Sequence, residues 1–399
     1  MTYLKKFSFI TILLLIGVGG INWFIDPFGM YWSPTISNIN KVKPEASNRV
    51  RISKPYRVEH VKPDVLLMGN SRVEMGLSPY HPAFEGKKVY NLGLAGATLH
   101  SQIDHIYHAI NTSPNLETIV FGLDFFDFLV TPTGNETNAT KTSYGHRIFS
   151  AEGFKHAKKR YTERLALVYS VDALISSLFT MSQQNSVVDS IGPFGLNSAQ
   201  SYINIVKSEG KKPLFKQKLG FVKEKLSQKP WQLTSNEGTP ISPKFEKLLE
   251  LINVVQSKKI TLHLFINPYH YSYLHAIDQQ GYFELYLQWK ATLANVVRDH
   301  QSQYITLWDF SGFNQYTLEP EKLMQPHQAM QWYWEPAHYN VELGNILISS
   351  IFSGSSSDFG QRLDNQALAP NLNTEIQALK NSVHHWHQLR EQLQLIVIQ

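Results

Sequence analysis

Two short stretches, far apart in the chain, hold the residue types that acyl-transfer chemistry uses. The first is Gly69-Asn70-Ser71-Arg72, directly after the apolar run Val65–Met68. A serine just past a buried strand is exposed at the sheet edge, and a helix starting beside it favours developing negative charge. Capping that helix is the alternative use of the same serine. The second stretch is Trp332-Tyr333-Trp334-Glu335-Pro336-Ala337-His338-Tyr339. A serine hydroxyl is a weak nucleophile that needs a base within hydrogen-bond reach, and the base needs an orienting carboxylate. Glu335 and His338, three residues apart on a turn, can supply both. Ser71, His338 and Glu335 are therefore the candidate catalytic set, set against the blander reading of a structural histidine among aromatics. Asp309, after the run Tyr304–Trp308, is a reserve acid for His338 if Glu335 points elsewhere.

Other polar groups carry less. His100, Asp104 and His108 lie at i, i+4 and i+8 of one helix and could touch a metal, but a solvated helix face explains them better. His384, His385 and His387 lack ligand spacing, and neither a metal nor a cofactor is expected. His270 and Tyr271 follow Asn267-Pro268 at a strand end, where they would line a pocket. The chain has no cysteine, which excludes disulfides, thiolate zinc sites, iron–sulfur clusters and a cysteine nucleophile. A net charge of +5 over 399 residues, with no basic stripe, gives no ground for expecting a nucleic-acid partner and leaves a weak pull toward anionic surfaces.

The elements that must position these residues follow from the hydrophobic pattern. Val65–Met68, Val89–Leu92, Thr118–Leu123, Ile260–Ile266 and Tyr304–Trp308 are short apolar runs of the kind seen in strands buried on both faces. Helices are expected over Leu99–Ile110, Phe245–Gln256 and Tyr282–His300. This alternation predicts an α/β fold, three layers (α/β/α) with a mostly parallel, flavodoxin-like sheet whose strand C-termini carry the site. Between about residues 130 and 240 the alternation fails: Thr131–Ser143 reads as a polar loop, Lys155–Thr180 as helical, and Ser182–Pro240 as mixed. This is a partly helical insertion. Over Thr374–Ile396, Ile376, Leu379, Val383, Trp386, Leu389, Leu393 and Ile396 recur at spacings of three and four. That stripe serves ordinary packing, with self-association as the second use.

At the N-terminus, Lys5 and Lys6 precede Phe7–Ile25, a stretch without charge. At about 1.5 Å per residue it nearly matches a hydrocarbon layer of about 30 Å. Trp23 and Phe24 suit the far interface, and Asp26-Pro27 ends the helix. The expected organisation is a cytoplasmic stub and transmembrane anchor (1–30), a Pro- and Asn-rich neck (31–62), the α/β domain (63–360) and a C-terminal amphipathic helix (361–399). With the lysines inside, the protein is expected to be single-pass in a bacterial inner membrane, its C-terminal domain periplasmic and residues 7–25 in the bilayer.

Taken together, these motifs resemble the SGNH, or GDSL-like, hydrolase superfamily. That family carries its serine in a Gly-Asp-Ser block after the first strand, a glycine in a second block, an asparagine in a third, and Asp-x-x-His near the C-terminus. Ser71 matches the nucleophile, His338 the base, and Glu335 stands at the aspartate of the last block. The resemblance covers roughly residues 63–128 and 260–350. It implies an oxyanion hole at Gly93, in Asn91-Leu92-Gly93-Leu94-Ala95-Gly96-Ala97-Thr98, and at the third block, Gly122-Leu123-Asp124. Asn70 replaces the usual aspartate before the serine. Asp124 replaces the oxyanion-donating asparagine, and an ionised carboxylate cannot donate there. Membrane-anchored members with a Gly-x-Ser-Arg block are similar to enzymes that O-acetylate exopolysaccharides. The resemblance thus implies a serine acyl hydrolase or O-acyltransferase, with an ester or acyl donor, an envelope polysaccharide and a membrane acyl-donor protein as partners. Arg72 would contact an anionic sugar or the third-block carboxylate, with a plain salt bridge as its equal alternative; Asn70, Trp334 and Tyr339 are further candidates for binding substrate, with packing as the other use of the aromatics. The alternative is a non-catalytic relative that binds or scaffolds glycan machinery.

Overall fold

The computed structural model describes residues 2–132, 145–149, 153–154, 156–228, 230–234, 242–300, 302–320, 325–355, 359–364 and 372–393. The chain opens with helix α1 (Thr2–Ile25), followed by α2 (Pro44–Asn48) and α3 (Val50–Val61). Strand β1 (Val65–Met68) leads into α4 (Ser71–Gly76), β2 (Val89–Asn91) into α5 (Leu99–Thr112), and β3 (Thr118–Leu123) follows. The insertion contributes α6 (Ala157–Tyr169), α7 (Val171–Ser182), α8 (Gln200–Ser208) and α9 (Lys212–Ser227). The alternation resumes with α10 (Pro243–Ser257), β4 (Thr261–Ile266), α11 (Tyr271–Gln279), α12 (Phe283–Asp299) and β5 (Ile305–Asp309). A two-stranded ribbon, β6 (Tyr333–Glu335) and β7 (His338–Tyr339), precedes α13 (Val341–Ser353), β8 (Gln361–Arg362) and α14 (Leu372–Leu393).

The protein is α/β, with a six-stranded sheet in the order β2-β1-β3-β4-β5-β8. All pairings are parallel except β5 with the edge strand β8. Each expected apolar run became a strand in this sheet, because a four- to six-residue run without polar alternation is stable only when both faces are covered. β1, β3 and β4 are neighbours, so the loops after Met68, Leu123 and Ile266 open side by side at one edge. The core is continuous through the sheet and holds Trp289, Trp308, Tyr269 and Tyr286 without solvent exposure.

Residues 31–62 depart from the expected organisation, and three other regions gain detail. Residues 31–62 are not a loose neck: α3 is built into the domain, with Lys54, Tyr56 and Val58 fully buried. The expected helix over Lys155–Thr180 is two helices, broken where Ser170 caps α7 through its hydroxyl. Ser182–Pro240 supplies two further helices, α8 and α9. The terminal stripe packs as expected: Leu379, Trp386, Leu389 and Leu393 are buried, and α14 packs on α11 and α9. Ile396 and most of Thr131–Ser143 lie outside the described residues.

α1 is long and apolar enough to cross a membrane and is largely exposed along its first two-thirds. Its last turns are held by the domain. The Lys43 ammonium donates to the carbonyls of Ile25 and Asp26 at 2.8 and 3.0 Å, and Asn40 donates to Phe24 O at 2.7 Å.

Candidate active site

The start of α4 decides what Ser71 can do. The capping side chain is Asn70, whose Oδ1 accepts from the Arg72 amide at 3.0 Å. Ser71 is the first helical residue, and its hydroxyl is released for another partner. That partner is His338: Ser71 Oγ and His338 Nε2 are 2.7 Å apart across 267 positions. The other ring nitrogen, Nδ1, meets Glu335 Oε1, and Glu335 Oε2 accepts from the Ala337 amide at 2.8 Å. Glu335 and His338 are register partners in the β6–β7 ribbon, so a single turn fixes their relation.

Backbone contacts hold this turn over the sheet edge. The Arg72 Nε donates to Ala337 O at 2.8 Å, and the His270 amide donates to Pro336 O at 3.1 Å. Helix α4 and the β6–β7 turn are thereby clamped to each other by residue 72. Close approach of α13 completes the arrangement. A Cβ on Gly344 would lie 1.8 Å from Gly76 O, and one on Gly76 would lie 2.1 Å from the Tyr339 ring. Only glycines let α4, α13 and the histidine strand meet so closely.

The site's charges are buried and compensated. The Glu335 carboxyl would be raised by burial, but the neighbouring His338, the Lys218 ammonium at 3.7 Å and the Ala337 amide outweigh this and hold it below its ordinary value. Burial lowers the His338 imidazole below its ordinary value, against the pull of Glu335. At neutral pH the pair is carboxylate and neutral imidazole, the forms a general base requires. Arg72 is buried against Asp124, whose carboxylate outweighs the cost of burial and keeps the guanidinium charged. Arg72 also donates to the Tyr273 hydroxyl at 3.2 Å and lies over the Tyr269 ring, 5.0 Å from its centre.

These groups face an open cavity of about 470 Å³. One wall carries Ser71, Asn70, Arg72 and His338, and another carries Gly96, Ala97 and Thr98. Phe126, Asp127 and Asp124 come from the end of β3, while Lys218, Phe221, Lys225 and Trp231 come from the insertion. The Asp127 carboxyl is pushed up toward about 8, by burial and then by the charge of Asp124. Tyr202 of α8 places its ring 5.8 Å from the His338 ring.

Several expected roles need correction. Gly93 does not line the cavity: its amide donates to Asn91 Oδ1 at 2.9 Å, and its carbonyl accepts from buried Lys54 at 2.5 Å. Asp124 accepts from Arg72, from Asn70 Nδ2 at 3.1 Å and from the Phe126 amide at 3.2 Å, so it donates nothing. The amides of Ser71 and Gly96 are among the cavity-lining backbone donors without a hydrogen-bond partner among the described residues. Tyr339 is wholly buried, with its hydroxyl donating to Asn267 Oδ1 at 3.3 Å, and cannot stack on a substrate. Trp334 lies off the cavity beside Tyr202. Asp309 is engaged by Lys290 at 2.5 Å and by Ser311, away from His338. His270 and Tyr271 are buried; the His270 ring bonds Ser272 and Glu319 O. His108 accepts from the Phe149 amide at 2.9 Å and contacts Pro55 O at 2.8 Å, so it does not converge with His100 and Asp104. No cluster of metal ligands occurs among the described residues.

The insertion's contributions, Lys218, Phe221, Lys225 and Trp231, had no local signal, because no motif or period ties them to Ser71. Gly96 did have one: it is the second glycine of the same Gly-rich turn, and its φ of +63° marks a position that suits glycine. No protein-family model matches the chain, and no curated protein matches it in sequence.

Proposed function

We propose that the protein is a membrane-anchored serine acyl hydrolase or O-acyltransferase of SGNH type, acting on a cell-envelope glycan. The observation that carries this is the 2.7 Å Ser71–His338 contact with Glu335 on the far side of the imidazole, at the C-terminal edge of a parallel sheet. The strand order of the parallel part, 2-1-3-4-5, is that of flavodoxin-like three-layer folds and supports the same assignment.

In this reading Ser71 Oγ attacks the carbonyl of an ester while its proton passes to His338 Nε2. Glu335 stabilises the imidazolium and holds Nδ1 in its protonated form. The amides of Ser71 and Gly96 receive the developing oxyanion in place of Gly93 and Asp124. His338 returns its proton to the leaving group, which departs and leaves an acyl group on Ser71. His338 then deprotonates water, or a sugar hydroxyl, which takes the acyl group and restores the serine.

Asp124 was the feature favouring a non-catalytic relative. Its pairing with Arg72 and Asn70 supports the catalytic reading, since the carboxylate's charge is compensated where it stands. By the same reading the acyl donor is an ester or a membrane acyl-donor protein, the acceptor an exopolysaccharide, and the location the periplasmic face of an inner membrane. Incubation with an activated acetate ester should place an acetyl group on Ser71, detected by mass spectrometry of the Ser71 peptide and absent in Ser71→Ala. Transfer to an added polysaccharide identifies a transferase, and fast hydrolysis indifferent to glycans identifies an esterase. A chain never acylated at Ser71 by any donor would leave only the binding role.

A further inference from the structure

Helix α7 is inside out for a water-soluble protein. Its buried side chains are the small Ala173, Ser176, Ser177 and Thr180. Its exposed side chains are large and apolar: Val171 is 73% exposed, Ile175 61%, Leu178 56% and Phe179 43%. These four recur at spacings of four, three and one, which puts them on one face. A helix packed on a domain in water shows the reverse polarity. Small and hydroxylated residues at the helix contact with large apolar ones outside is the pattern of helices packed together in lipid.

What α7 packs against indicates what covers that face. α6 and α7 both contact α1. A Cβ on Gly19 of α1 would lie 2.5 Å from the Tyr169 ring at the α6–α7 break. Asn22 of α1 donates to Val168 O at 2.7 Å and accepts from the Ser177 hydroxyl at 2.8 Å. Gly19 lies six residues before Ile25, the end of α1, so the break reaches about 9 Å into the apolar layer at 1.5 Å per residue. That matches the depth of about 5–10 Å at which interfacial helices lie. α6 and α7 together are also apolar enough to pass as one span broken by a 51° bend. The acidic residue of α7, Asp172, is paired with Arg49 at 2.8 Å and presents no lone charge.

We propose that α7 is a second membrane-embedded element, lying in the outer apolar layer beside α1 with its Val171–Ile175–Leu178–Phe179 face against lipid chains. This rests on α1 being a membrane span. The catalytic domain is then seated on the bilayer by two contacts rather than tethered by one.

The absence of cysteine makes the test direct. Single spin-labelled cysteines at Leu13, Ile175, Leu178 and Glu250 would be read in the full chain reconstituted into phosphatidylcholine–phosphatidylglycerol vesicles. Glu250, 58% exposed on α10, is the aqueous reference. Collision with the water-soluble nickel chelate should be several-fold lower at Ile175 and Leu178 than at Glu250, and collision with oxygen higher, as at Leu13. Chelate access at Ile175 and Leu178 equal to Glu250, with Leu13 in lipid, overturns the proposal and leaves the span standing. Chelate access at Leu13 as well overturns both. Shielding from both quenchers, with disulfide cross-linking of unlabelled Ile175→Cys between copies, overturns it in favour of a protein partner. Surface cysteines leave the interior unchanged, and an unaltered Tm confirms the fold of each variant.

Discussion

Replacing Glu335 by glutamine is the most incisive perturbation, because it changes one proton's position and little else. Glu335 is 1% exposed, and its two oxygens divide their work between His338 Nδ1 and the Ala337 amide. Glutamine has the same shape and can keep the Ala337 bond with its carbonyl oxygen. Its NH2 group then faces Nδ1, which must present a lone pair to it. The ring proton moves to Nε2 and points at Ser71 Oγ. In that tautomer His338 cannot take the serine proton. The equivalent acid-to-amide change in serine proteases costs about 10⁴ in turnover with the geometry intact. We expect a loss of about 10³- to 10⁴-fold in acylation rate, or about 4–5.5 kcal/mol at 1.36 kcal/mol per decade. The fold should survive with a Tm change of a few degrees. Stopped-flow release of the leaving group from an activated acetate ester measures the rate, with circular dichroism as the fold control. A loss under tenfold, beside a null Ser71→Ala variant, would refute the orienting role of Glu335. The wild-type pH profile supplies a second check. Because burial holds His338 below its ordinary value, the rate should rise with pH and reach half its plateau below pH 6.5. A half-point above pH 7 would contradict it.

Three further outcomes follow from buried charge. Arg72→Met should cost about 3–5 kcal/mol by denaturant midpoint, because it strands Asp124, and Asp124→Leu in the same chain should recover part of it; a single-variant loss below about 1 kcal/mol would show that the pair is not the clamp. His105 is lowered to about 3, and His108, His270 and His275 to about 4, each by burial first. The unfolded chain therefore binds more protons below pH 6.5, so stability is full above that value and falls as pH drops. At pH 5.5 each costs about 1.4 kcal/mol and the four together about 5.6 kcal/mol, so Tm should fall steeply between pH 6.5 and 5; a flat profile would mean that these rings reach water. Asp127 has the opposite sign: folded, it keeps its proton well above the unfolded value near 3.8, so its presence destabilises progressively as pH rises. Asp127→Asn should gain Tm over the parent from pH 5 to pH 8, and an equal gain at both would overturn the shift.

The strands were legible because runs such as Val65–Met68 and Thr118–Leu123 have no other stable use than a covered sheet. Ser71, Glu335 and His338 were legible for a related reason, since each stands at a fixed offset from such a run or from another member of the set. The proposed oxyanion donor, Gly96, lies three positions beyond the glycine expected, in the same turn. The turn holding Gly93 was recognised, but which amide is free depends on Asn91 folding back onto Gly93, a contact invisible to spacing. The aromatics beside His338 were misassigned because tyrosines and tryptophans are frequent here, and only packing tells buried Tyr339 from Trp231 at the cavity wall. Residues 31–62 looked like a neck because α3 carries a proline and several charges. What buries Lys54 is a tertiary pairing with Glu74 at 3.1 Å and the Gly93 carbonyl.

The 267 positions between Ser71 and His338 also set a clock. At about 5–20 residues per second, a ribosome finishes His338 roughly 13–50 s after Ser71. During that interval the serine can already sit at the end of its strand, with no base to activate it. On the proposed chemistry, a chain that ends before His338 is therefore silent. On the same proposed chemistry, competence arrives only when the β6–β7 turn folds back over the sheet edge and Arg72 closes on Ala337, so appearance of acylation at Ser71 would report docking of that turn.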